Sequence, residues 1–164
     1  MPVAVTSYLV VQSLHVIGVV AGYGLPLAYP LLITYLRRNH PRAMPGLHDV
    51  QYLLNRTLTA AGTVVVLAAG VYMASKHDLW GEAWVDVPIA IMAVIVLLGG
   101  GFVVPVSGKM AKLAHSDVEA AAAGGAVSWS AEYERAYRRY LAAEILLGVL
   151  VLIAVFFMVA RPFS

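Results

Sequence analysis

From Met1 to Leu36 the sequence contains no Asp, Glu, Lys or Arg. Two more uncharged runs cover Thr57 to Ser75 and Val87 to Gly108. A fourth, Tyr140 to Ala160, is broken only by Glu144. A helix rises 1.5 Å per residue, so about 20 residues cross roughly 30 Å of hydrocarbon. Inside lipid every backbone N–H and C=O must be satisfied within the chain, which leaves helices and closed barrels. The runs lack the two-residue alternation of barrel strands. The expected fold is therefore an all-α membrane protein, a four-transmembrane-helix up-down bundle forming a single domain over 1-164. Its spans are expected at about 8-35, 57-75, 87-108 and 140-160, with a long polar loop at 109-139. Composition points the same way: 61% of residues are hydrophobic and 12% charged, against about 45–50% and 25% in soluble domains. The first run has no basic n-region and outlasts the 7–15 residues of a signal-peptide core, so it reads as a retained span.

Charge placement sets the expected orientation. Arg37, Arg38, Arg42, Arg56, Lys109, Lys112, Arg135, Arg138 and Arg139 fall in the two loops at one end. Lys76 and Arg161 alone fall at the other. Nine against two is a positive-inside pattern, which places both termini outside. Arginine outnumbers lysine by 8 to 3 and Ala, Val and Gly are abundant, a bias that suggests a GC-rich bacterial source, so the expected location is a bacterial inner membrane. The basic residues sit where topology needs them, so the pI near 9.0 implies the lipid bilayer as partner and no nucleic acid. Cysteine is absent, which removes disulfides and thiol chemistry. Tyr8, Tyr35, Tyr137, Tyr140, Trp80 and Trp84 suit the aromatic belts. Within the 109-139 loop, Ala114 to Ala131 reads as a mobile Ala/Gly-rich linker, followed by a helical extension in which Glu134 and Arg138 stand four apart.

Two intramembrane ionisable residues stand out, because each is expensive unless satisfied. His15 shares a helix face with Gly18, Gly22, Pro26 and Tyr29. A neutral imidazole there can ligate haem or a metal or relay a proton, with Gly18 and Gly22 as a slot for a flat cofactor. It can equally hydrogen-bond a neighbouring backbone or Gln12, with the glycines serving close helix packing. Met73, Met92 and Met158 lie in the same half of the bilayer, where one could supply a sulfur, and His77 could reach inward. Glu144 lies about one turn inside the basic end, where Arg56 is placed to form a buried charge pair with it; a proton or substrate site is the alternative. Gly99, Gly100 and Gly101 read as packing glycines. His40, His48 and His115 read as solvated loop residues. No GxSxG, HExxH, P-loop or dinucleotide fingerprint is present.

Leu14-His15-Val16 with Gly22, Asn55-Arg56, and the stretch from Arg139-Tyr140 through Glu144 to Arg161-Pro162-Phe163 carry a resemblance across nearly the whole chain. The layout resembles an uncharacterised bacterial family of four-helix integral membrane proteins. It is distantly similar to HemJ-type protoporphyrinogen oxidases and to CopD-like membrane domains. The likeness to HemJ-type proteins implies haem b as cofactor, with His15 in the place of their first-helix histidine. Two readings of function follow: a small haem-binding redox protein using His15, or a non-catalytic subunit or assembly factor in a homo-oligomer or larger membrane complex.

Overall fold

The computed structural model describes residues 7–123 and 125–162; Phe163 of the C-terminal motif lies outside them. Four long helices follow one another: α1 Ser7–Asn39, α2 Pro41–Lys76, α3 Ala83–Ala120 and α4 Ala131–Ala160. No strand occurs among the described residues. Each helix is long and apolar enough to cross a membrane. Large apolar side chains face outward on every side: Leu31 is 76%, Leu97 73% and Val159 78% exposed. Water is a poor neighbour for such a surface, and lipid is a good one.

The helices are longer than the uncharged runs because the sequence beyond each run still favours helix. Lys109 to Ala120 contains no Gly or Pro and is rich in Ala, Lys, Leu and Met, so α3 continues past the expected boundary and stops before the glycines of the connector. The expected linker is thus half helix, and only residues 121–130 connect. Ser130 caps α4 by accepting from the Tyr133 N–H at 3.2 Å, with Glu132 and Glu134 suiting the positive end of the helix. Between α1 and α2 the chain reverses at His40, and Pro41 starts the next helix where its missing N–H costs nothing. The turn before α3 uses Gly81 at φ 93°, a left-handed conformation open to glycine.

Two seams hold the bundle. In the first, α1 and α2 close on each other at glycines. A Cβ on Gly62 would lie 2.7 Å from the Gly22 Cα and 2.9 Å from the Gly18 carbonyl oxygen. Backbones approach that closely only without side chains between them. In the second, α3 packs along α4. By contrast α2 and α3 meet broadly at the basic end but barely touch at membrane level.

The basic end is tied together by side chains. His48 is fully buried, its Nδ1 2.8 Å from Gln51 Oε1 and its Nε2 2.9 Å from the Tyr133 hydroxyl. This corrects the expectation of a solvated loop histidine: α2 starts at the turn and carries His48 inward. His115 does lie at the surface, paired with Asp49 at 2.8 Å. Glu134 pairs with Arg37 of α1 rather than with Arg138, because Arg37 lies stacked over the Tyr137 ring one turn along, 4.2 Å from its centroid. At the opposite end His77 stays outside the bundle, edge-on to Tyr8 at 4.9 Å.

Candidate functional site

The gap between α2 and α3 is a cavity of about 420 Å³, backed by α1 and α4. Two wide helical turns border it, Asn55–Thr59 in α2 and Gly99–Val103 in α3. Both have local causes. Thr57 and Thr63 return their hydroxyls to backbone carbonyls one turn back, at 2.7 Å each, which competes with the regular ladder. In α3, Pro105 has no N–H for the Gly101 carbonyl four residues earlier, and the three glycines let the backbone widen there. Such single wide turns recur at functional sites. A Cβ on Gly99, Gly100 or Gly101 would meet nothing within 4 Å. The glycines therefore do not serve packing, as their sequence context suggested; they border open space.

The lining is mostly apolar, with a polar wall on one side. Glu144 is 4% exposed and Asn55 5%, and both line the cavity. The Asn55 amide donates to the Tyr140 hydroxyl at 3.3 Å, and that hydroxyl lies beside the Glu144 carboxyl one turn on. Tyr140 is therefore buried behind this wall and is not an interfacial anchor. Higher in the cavity, the Tyr23 and Thr63 hydroxyls bond each other at 2.7 Å.

Arg56 and Glu144 border the same cavity without forming an ion pair. The wide turn starting at Asn55 directs Asn55 inward and leaves Arg56 exposed, with its guanidinium 3.4 Å from the Tyr52 hydroxyl. The expected charge pair is not formed: Asn55 turns to the buried face, where its amide bonds Tyr140, and the arginine stays at the rim. Among the described residues no cation pairs with Glu144.

Gly18 and Gly22 do not form a cofactor slot. A Cβ on Gly18 would lie 3.0 and 3.1 Å from methyls of Val66 and Val65, and one on Gly22 3.2 Å from Gly62. The face that a flat cofactor would need is filled by α2, because three glycines in register pull the two backbones together. His15 packs beside this seam, its Nδ1 2.9 Å from the Val66 carbonyl oxygen. A carbonyl only accepts, so Nδ1 carries the proton and Nε2 keeps the lone pair. His15, Met73, Met92 and Met158 border a separate pocket of about 90 Å³, whose donors are soft. No group of three or more His, Cys, Asp or Glu gathers among the described residues.

A family model described as predicted integral membrane protein (DUF2269) matches residues 9–162. The chain belongs to this family. No curated protein and no solved structure matches it. In this DUF2269 protein the matched stretch takes in all four helices, so His15, Asn55, Gly99 and Glu144 all fall within it.

The sequence marks Glu144 and Arg56 but not Asn55 and Tyr23, nor the buried Tyr140 behind them. One signal was present: Gln51, Asn55, Thr59 and Thr63 recur every four residues, a polar stripe down one face of α2. Nothing comparable marks Tyr23, which reaches the cavity only because α1 and α2 pack so closely.

Proposed function

We propose that this DUF2269 protein binds a lipophilic small molecule that enters its bundle sideways from the bilayer. One observation carries the reading: an apolar cavity with a buried carboxyl in its wall opens between two helices that lipid surrounds. Ala60 and Val64 on α2, and Val96 and Gly100 on α3, line the cavity while remaining exposed on the outside. They form the two jambs of a lateral opening. A concave, largely apolar site with a few convergent polar groups is the usual form of a small-molecule site. Broken or widened helices line such sites at membrane depth.

A haem on His15 is less well supported, since α2 occupies the glycine face and the pocket at His15 is about 90 Å³. The rival role as a subunit or assembly factor has no particular surface in its favour, because the exposed apolar faces suit lipid equally.

Photo-cross-linking tests the proposal. A neutral alkane bearing a diazirine is added to the protein in lipid nanodiscs, and adducts are mapped by peptide mass spectrometry. Adducts are expected to concentrate in residues 55–67 and 95–104 and to fall severalfold in Gly99→Leu, which fills the cavity. Adducts spread evenly over lipid-facing residues such as Leu31 and Val159 would refute it.

A further inference from the structure

The cavity is asymmetric in charge, and that narrows its ligand. Most polar groups around it are already matched. The Tyr23 and Thr63 hydroxyls bond each other, and the Thr63 hydroxyl donates to the Thr59 carbonyl at 2.7 Å. Asn55 donates to Tyr140. The Glu144 carboxyl is different. It brings two acceptor oxygens to the wall, where one hydroxyl, that of Tyr140, bonds it and no positive charge does. No cation among the described residues pairs with it. A carboxylate in an apolar surrounding needs a counter-charge or a proton. Arg56 borders the same cavity but is exposed at its rim and forms no ion pair with Glu144.

Resting on the ligand-binding reading above, we infer that the ligand is a lipophilic monoamine whose protonated nitrogen pairs with Glu144 while its hydrocarbon part fills the cavity. The ammonium supplies the missing counter-charge and N–H donors, and ionised partners make the stronger hydrogen bonds. A neutral lipophile of the same shape fills the same volume but leaves the carboxyl without a counter-charge. A second positive charge on the ligand would meet Arg56 at the rim, so a diamine is disfavoured. The preference is a matter of one buried group, and it can be removed without emptying the cavity.

The test uses the full chain in nanodiscs and the neutral diazirine probe. Competitors are an N,N-dimethyl-phenylalkylamine, its neutral isostere with carbon in place of nitrogen, and the matching diamine, each at equal concentration in the bilayer. The monoamine is expected to displace the probe from residues 55–67 and 95–104 at a concentration about tenfold lower than the isostere, the worth of one charge-assisted bond. The diamine is expected to compete less well than the monoamine. In Glu144→Gln the probe still labels the cavity but the amine and the isostere compete equally. Equal competition in the wild-type protein would overturn the amine inference and leave the cavity as a site for neutral lipophiles or acyl chains. An amine preference that survives in Glu144→Gln would overturn the role of Glu144. Failure of the probe to label the cavity at all would instead remove the binding proposal on which both rest.

Discussion

Glycines in this protein do two opposite things, and substitution separates them. Gly62 sits against the backbone of α1 with no space for a methyl: 2.7 Å to the Gly22 Cα leaves only movement of the helix. Gly62→Ala should therefore cost on the order of 1–3 kcal/mol, the usual cost of overpacking. Gly100→Ala meets open space and replaces the weakest common helix former with the strongest, so it should gain up to about 1 kcal/mol. Thermal melts in one detergent would read both, and changes of the same sign would show that the two glycines do not differ in this way. The same contrast explains why residue types alone misled. Gly18 and Gly99 are both helical glycines in apolar sequence, yet one touches a neighbouring helix and the other a void. His15 and His48 repeat the lesson. Each is buried and each satisfies Nδ1 with an oxygen, one at membrane depth and one at the basic end.

At the scale of helices, the wide turn in α3 is what keeps its wall away from α2. Pro105 removes a donor and the glycines before it accept the altered path. Restoring the donor with Pro105→Ala should let the turn tighten, raising stability by on the order of 1–3 kcal/mol, since proline is the poorest residue for a helix interior. It should also lower probe cross-linking at Val96 and Gly100 severalfold. A more stable protein that cross-links as before would mean that the turn does not shape the cavity. The turn in α2 acts differently. It lies where Asn55 is buried and Arg56 exposed, so that the amide joins the polar wall beside Tyr140 and the charge stays at the rim.

Over the whole molecule, the structure separates the nine basic residues from the other two along the bundle axis. Residues 7–8, 76–86 and 161 meet at one end, as the contacts Tyr8–His77 and Arg161–Trp84 record. Arg37, Arg42 and Lys109 meet partners at the other, in Glu134, the connector carbonyls of Ala122 and Gly125, and Glu132. If the positive-inside rule governs insertion, a cysteine placed at Trp80 should react with an impermeant thiol reagent added to intact cells. One placed at Ala122 should react only after the membrane is opened. Labelling of Ala122 in intact cells would reverse the orientation.

The four helices, their rough positions and the gathering of basic charge at one end were legible in the sequence, because each rests on a property that sums along the chain. Hydropathy over twenty residues and charge per loop survive any detail of packing. Glu144 was legible for a related reason: a lone carboxyl in an apolar run needs an account wherever the helix lies. The site itself was not. Its volume comes from how far α2 stands from α3, and that distance depends on two wide turns and on glycine contacts between α1 and α2. Its chemistry depends on whether Asn55 or Arg56 is the buried residue, a rotation of about 100° that one extra residue in a helical turn decides. Apolar helices look alike from their composition. Only their relative placement tells a packed glycine from an open one, and a buried polar residue from its exposed neighbour.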